Sequence, residues 1–267
     1  MQKTIAVAVA AYGISAESLG RIKRVAAAGY DVYVYDNSPH QRALFDLCAG
    51  NPALHYFCCG QNAGLGVAIA TLCSHAANDG YYGLIFFDQD TGFTEQTLDF
   101  VSAYASSNVA AHSQHAAVVF NAVKPIVTSE LEAPPAKDVL VAINSGSLYL
   151  LANVIAMGGH DISYFVDGVD YKFCLDSARK GFKIGLFEHT PGFDHVTEQD
   201  DETYVVLGRK IRMRPYPWRR IRDTCQSNVR LMISGVKACN PRFVATVLRL
   251  FFFYGAMQLY VRFAKKR

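Results

Sequence analysis

The first ninety residues repeat one pattern four times: a short apolar run, then a turn, and between runs a stretch with helical spacing. Residues 5–10 are apolar and are broken by Tyr12-Gly13. Residues 17–28 carry Leu19, Ile22, Val25 and Ala26 at helical spacing and stop at Gly29. Residues 31–35 are β-rich and end at Asp36-Asn37-Ser38-Pro39, a turn signal. One short helix fits 41–48, a third strand fits 54–58, and Gln61-Asn62-Ala63-Gly64-Leu65-Gly66 opens a helix running to about Asn78. Residues 82–87 form the fourth strand. Strands alternating with helices predict βαβ units and a mainly parallel sheet. Right-handed crossovers then put the four strand ends on one edge, where Asp36, Asn62 and Asp88 converge.

The fourth strand carries the chemistry. Leu84-Ile85-Phe86-Phe87 reads as a strand buried on both faces, and it stops at Asp88-Gln89-Asp90 before Gly92. Residues i and i+2 of an extended segment point to one side. Asp88 and Asp90 therefore present two hard oxygen ligands outside the carboxyl end of a strand, where open α/β sheets bind ligands. A divalent cation carrying a diphosphate needs such a pair. The plainer alternative is a solvated acidic turn.

The second half is less regular. A helix is predicted over 94–107, a strand over 116–120, and a loop over 121–137 with Pro125, Pro134 and Pro135. A strand over 139–143 precedes Asn144-Ser145-Gly146-Ser147, and a helix over 148–157 stops at Gly158-Gly159. Phe165-Val166-Asp167-Gly168-Val169-Asp170 opens a helix over 171–180, closed by Gly181. Two short strands follow at 182–187 and 192–195.

From about Leu207 the composition shifts. Arg209, Lys210, Arg212, Arg214, Arg219, Arg220 and Arg222 sit among Met213, Tyr216 and Trp218, and residues 243–263 are strongly apolar with Arg249 inside them. A division into a domain at 1–205 and a basic, aromatic helical segment at 206–267 follows. A spanning helix wants about 20 apolar residues without a central charge. The run fits better as an interfacial helix whose basic flanks meet anionic lipid, the alternative being a helix packed on the main domain or in an oligomer interface. The mean hydropathy of +0.10 agrees with a large core. Seven cysteines without zinc-ribbon or CxxC spacing read as free thiols, and no signal-peptide pattern stands at the N-terminus, so a cytoplasmic protein is expected. The basic residues form no nucleic-acid module, so no nucleic acid is expected as a partner.

Val34-Tyr35-Asp36-Asn37-Ser38, the run 62–68, Asp88-Gln89-Asp90, Ser145-Gly146-Ser147 and the run 165–175 occur in this order over residues 4–200. Together they resemble the family 2 glycosyltransferases of the GT-A fold, above all the bacterial rhamnosyltransferases of cell-surface polysaccharide assembly. The resemblance implies an α/β, Rossmann-like mixed sheet, mainly parallel and flanked by helices, followed by a basic and apolar helical extension. It implies a nucleotide-sugar donor, dTDP-rhamnose being the first expectation, and inverting transfer to a lipid-linked saccharide at the inner face of the cytoplasmic membrane. Asp36 is expected to accept hydrogen bonds from the base or ribose, or else to be an Asx-turn acid. Asn62, Gly64 and Gly66 resemble a nucleotide-contacting loop at a helix start. Asp88 and Asp90 are expected to hold the diphosphate, Asp90 through Mn²⁺ or Mg²⁺, with His195 as the third protein ligand and His189 as its competitor. Asp170 is the expected general base, with Asp167 holding the acceptor or taking that role instead. Ser145 is expected to line the acceptor side near the diphosphate. Arg214, Trp218, Arg219 and Arg220 are expected to close over the pyrophosphate, to touch an acceptor phosphate, or to form a membrane-facing basic patch. Lys172 and Asp176 depart from the family pattern, which has Glu and Arg there. Three other readings remain open at this point: another donor such as UDP-galactofuranose, a nucleotidyltransferase, and a non-catalytic saccharide-binding protein. An oligomer is compatible with all of them.

Overall fold

The computed structural model describes residues 3–38, 40, 42–108, 113–126, 135–190, 192–195, 202–206, 209–213 and 215–264; for 3, 95, 122–126, 190, 194–195, 202, 205–206, 209–213 and 264 it describes the main chain alone. The chain divides into two compact units, residues 1–196 and 197–267.

In the first unit the elements run β1 (Lys3–Ala11), α1 (Ala16–Ala27), β2 (Val32–Asp36), α2 (Ala43–Ala49), β3 (Leu54–Phe57), α3 (Leu65–Asn78) and β4 (Tyr81–Asp88). Then come β5 (Thr91–Gly92), α4 (Glu95–Ser107), β6 (His115–Ile126), β7 (Lys137–Val139), β8 (Ser147–Leu150), α5 (Leu151–Met157), α6 (Val169–Arg179), β9 (Lys183–Thr190) and β10 (Asp194–His195). Eight strands form one sheet in the order β3-β2-β1-β4-β8-β6-β9-β7. β3, β2, β1 and β4 are mutually parallel, β6 and β9 are parallel, and β8 and β7 run antiparallel to their neighbours. This is the mixed, mainly parallel α/β sheet expected.

Helices cover both faces of the sheet. On one face Val7, Val9, Val34, Ile85 and Phe87 pack with Ile22 and Val25 of α1 and with Leu98, Val101 and Tyr104 of α4. On the other, α3 lies over β1, β2 and β4 and touches α5, while α6 lies against β9. Apolar burial on both faces, worth about 25 cal/mol per Å², is what makes β4 read as an unbroken hydrophobic run.

The expected strand at 139–143 and helix over 148–157 are corrected. Of 139–143 only Val139 is strand, the last residue of β7; a further strand, β8 (Ser147–Leu150), lies fully buried between β4 and β6, and only Leu151–Met157 is helical. Tyr149 and Leu150 fit a helical period as well as a strand, and the competition is settled by two flanking strands that each lack a partner edge. β6 extends to Ile126, so the expected loop starts later; residues 127–134 of that loop lie outside the described set.

The second unit holds a hairpin of β11 (Glu202–Val206) and β12 (Arg209–Met213), then α7 (Trp218–Lys237) and α8 (Pro241–Ala264). Its basic segment is thus strand as well as helix: Arg209, Lys210 and Arg212 lie on β12. α7 and α8 pack closely where Gly235 meets the second helix; a Cβ there would come 2.8 Å from Val244 Cγ2 and 2.9 Å from Phe243 Cδ1. Phe243, Val247, Met257 and Val261 are buried on α8. The opposite side leaves Leu248, Phe252, Phe253, Leu259, Tyr260 and Phe263 exposed.

Candidate active site

The site lies at the carboxyl edge of the parallel strands. Register places Asp36 beside Ala11 and Asp88 beside Ala10, so the two acids flank the end of β1. The loops between them are cross-tied. Gln89 Nε2 donates to the Tyr12 carbonyl at 3.0 Å, and Gln89 Oε1 accepts from the Tyr12 N–H at 2.8 Å. The Gly13 N–H donates to Ser38 Oγ at 2.9 Å. The Gln89 carbonyl accepts from Ser18 Oγ and from Arg21 Nη1. The middle residue of the acidic triplet is therefore a fastener, and it fixes the direction in which its two neighbours project.

Asp88 sits within the electrostatic reach of two other acids. Burial foremost, with the charges of Asp90 and Asp170 adding to it, pushes its carboxyl up to about 7. Asp170, the second residue of α6, is pushed up to about 6 by burial, against hydrogen bonding from the Tyr171 N–H (2.8 Å) and with Asp167 adding to the rise. A segment some eighty residues away in sequence thus delivers its acid to the strand-end pair. Beneath Asp170 is a cavity of about 10 Å³, the size of one water, lined by Asn144, Ser147, Tyr149, Phe173 and Cys174 among others.

The loop that carries Asp167 and Asp170 is docked on the glycine turn. Gly64 has φ +87°, and a Cβ there would lie 2.5 Å from the Phe165 carbonyl oxygen; a Cβ on Gly66 would lie 2.5 Å from that of Tyr164. The Leu65 N–H, at the start of α3, donates to the Phe165 carbonyl. These glycines admit the chain's own 161–165 backbone at the helix start. Asn62 Oδ1 accepts from the Gly64 N–H at 3.0 Å, and Asn37 Oδ1 accepts from the Ala63 N–H at 3.0 Å. Asn62 is thus the turn residue that shapes this docking surface.

Ser145 is placed behind the acids. It is 2% exposed, its hydroxyl accepts from the Asp88 N–H at 3.1 Å, and it meets Thr91 Oγ1 at 2.6 Å. Ser145 thereby holds the turn that presents Asp88 and Asp90. Gly146, with φ +76°, is wedged so that a Cβ would be 2.8 Å from the Phe120 carbonyl oxygen. Asp36 is 1% exposed; its carboxylate accepts from the Ser38 N–H at 2.7 Å and from the Tyr56 hydroxyl at 3.0 Å. The Asx-turn role is present, and the second lone pair on each oxygen is what remains for a ligand.

The main chain of His195 pairs with Thr91 through the β10–β5 ribbon, next to Asp90. Its side chain lies outside the described residues. The His189 ring lies against Phe187, with centroids 5.6 Å apart. Arg219 is exposed on the first turn of α7 in the second unit, and Arg214 lies outside the described residues. Among the described residues no three His, Cys, Asp or Glu side chains form a ready metal cluster. Two carboxylates at one strand end, close enough that Asp90 disfavours the charged form of Asp88, are still hard oxygen donors of the kind that suits a divalent ion.

Two features escaped the sequence reading. The departures at 172 and 176 are a single exchange: Lys172 Nζ pairs with Asp176 Oδ2 one turn on and with Asp161 Oδ2 at 3.3 Å. The charges expected there have swapped places, and the pair persists. His160, 4% exposed, stacks on Phe173 (4.2 Å, 11°) and meets Tyr149 edge-on, with neither ring nitrogen hydrogen-bonded. Burial pushes it down to about 3.

No known sequence family and no curated protein sequence matches the chain. Solved structures do. TarS of S. aureus, residues 1–349 in complex with UDP-GlcNAc, is similar over 92% of this chain and 71% of its own, with TM-score 0.58 and 14% identity. Longer TarS is similar over 72% of this chain, with TM-score 0.53 and 15% identity, and the chain spans 36% of its length. GalNAc-T7 with UDP, GalNAc and Mn²⁺ is similar over 86% of this chain and 48% of its own, with TM-score 0.56 and 12% identity. At these identities the likeness is one of fold. The first unit has the GT-A fold.

Proposed function

We propose that the protein is a metal-dependent, inverting glycosyltransferase that uses a nucleotide-diphosphate sugar. The observation that carries this reading is that Asp170 and Asp90 both lie within electrostatic reach of Asp88, at the carboxyl edge of a GT-A sheet. The solved neighbours with UDP-GlcNAc, UDP or Mn²⁺ support it.

In this reading Asp88, Asp90 and His195 would hold Mn²⁺ or Mg²⁺. The ion supplies Lewis-acid neutralisation of the leaving diphosphate. Asp36 and the 61–64 turn border the nucleoside. Asp170 takes the proton of an acceptor hydroxyl; that oxygen bonds to the anomeric carbon as the bond from that carbon to the diphosphate breaks, and the nucleoside diphosphate departs with the electron pair. A carboxyl pushed up to about 6 accepts a proton more readily than an ordinary aspartate. Asp167, three residues before it, orients the acceptor. No described side chain is placed as a covalent nucleophile, so single displacement with inversion is the proposed course.

The donor follows from the ordered motifs: dTDP-rhamnose, transferred to a lipid-linked saccharide in cell-surface polysaccharide assembly. A second reading, a UDP-sugar, is favoured by the UDP-GlcNAc bound in TarS. Titrating the protein with dTDP- and UDP-sugars in Mn²⁺ separates them. We assign membrane-surface attachment to α8. Leu248, Phe252, Leu259 and Phe263 fall within about 60° of arc at 3.6 residues per turn, and all are exposed. The run 241–263 is long and apolar enough to cross a membrane, but burial of its other side against α7 favours lying in the interface.

The test of the enzymatic reading is Asp170→Asn. Turnover is expected to fall about 10²–10⁴-fold, the usual worth of a general base, with donor affinity nearly unchanged. Equal loss of both removes Asp170 from that role. Asp90→Ala is expected to abolish metal-dependent donor hydrolysis; hydrolysis that survives it refutes the site.

A further inference from the structure

We propose that the groove between α1 and α4 is a second binding site, which takes a small phosphate-bearing ligand. The groove lies on one face of the sheet; the end of α1 is tied to α4 by Tyr30, whose hydroxyl donates to Asp99 Oδ1 at 2.9 Å. It is open, encloses about 260 Å³, and is lined by Arg21, Arg24, Val25, Phe93 and Thr94. Arg21 and Arg24 are one turn apart on α1 and so share a face.

The two arginines differ in state. Arg21 is only 11% exposed; it pairs with Glu17 at 3.4 Å and donates to the Gln89 carbonyl. Arg24 is exposed and has no ion-pair partner among the described residues. Thr94 caps α4, so the groove ends at the start of a 13-residue helix, where backbone N–H groups favour anions. The wall is rigid: the Phe93 ring is set against Phe87 at 4.5 Å and Phe193 at 5.3 Å. Guanidinium groups select phosphate by directed hydrogen bonds, and the aromatic wall suits the apolar or ring portion of the same molecule. The volume lies below the range of about 300–1,000 Å³ for drug-sized pockets. It fits a phosphorylated monosaccharide or a headgroup rather than a whole nucleotide sugar.

None of the acids lines this groove; Arg21 links it to the acidic turn, and Phe93 and Thr94 follow Asp90 in the chain by three and four residues. Arg21 grips the carbonyl of Gln89, which stands between Asp88 and Asp90. A ligand that recruits Arg21 therefore acts on the turn that presents the two acids. The inference does not depend on the transferase reading, since it rests on the arginines and the groove.

Calorimetry on the full chain in EDTA tests it, with inorganic phosphate as one probe and vesicles of phosphatidic acid, against phosphatidylcholine, as the other. Saturable phosphate binding that weakens at least tenfold in Arg24→Ala and Arg24→Gln, and is unchanged in Asp90→Ala, supports a free small molecule. The same arginine dependence seen only with phosphatidic acid supports a lipid headgroup. Absence of binding to either probe, binding indifferent to Arg24, or binding abolished by Asp90→Ala overturns the proposal.

Discussion

Gly66 has no side chain because the Tyr164 carbonyl occupies the place where one would go. Gly66→Ala forces the 161–165 backbone away from α3. Overpacking of this kind costs about 1–3 kcal/mol. The expected outcome is a lower urea midpoint together with reduced turnover, because the displaced backbone leads into Asp167 and Asp170; a variant as stable and active as the parent contradicts the docking. His160 bears on acid stability instead. The unfolded histidine titrates near 6.5, while the folded one is held down to about 3. Between those values the unfolded chain binds a proton that the folded chain does not, so stability falls as pH drops through the window. His160→Leu removes this liability. Urea midpoints at pH 7 and pH 4.5 are expected to differ less for the variant than for the wild type, and equal differences refute the assignment.

Between elements, the instructive contact is Ser145 with the β4–β5 turn. Ser145→Ala strands the buried Asp88 N–H and deprives Thr91 of its partner, a loss of about 1–3 kcal/mol. Chemical denaturation checks the stability, and Mn²⁺ titration is expected to show weaker binding, since the acids lose their anchor; unchanged metal affinity would separate Ser145 from the site. The legibility of these elements was uneven for physical reasons. β1, β2, β4 and α3 were readable because apolar periodicity and glycine punctuation are local. Asp88 and Asp90 were readable because they end such a strand. β8 was not, since Ser147-Leu148-Tyr149-Leu150 becomes a strand only through β4 and β6. Nor were the tasks of Ser145, Gly64 and Gly66, whose partners stand 57 or about 100 residues away. The Lys172–Asp176 exchange read as two anomalies until the side chains were seen to pair.

At the level of the whole molecule, the second unit offers a prediction that leaves the first untouched. Phe252 and Phe263 are 67% and 68% exposed, so changing both to serine removes apolar surface without opening the α7–α8 seam. Co-sedimentation with anionic vesicles is expected to drop sharply at constant melting temperature. Undiminished sedimentation would assign α8 to another partner. In the first unit, the order of assembly follows from the position of β8. The flank of β4 stays bare until Ser147–Leu150 has been synthesised some sixty residues later. A nascent chain that stalls between those points carries an unpaired strand edge, the kind of surface that invites self-association.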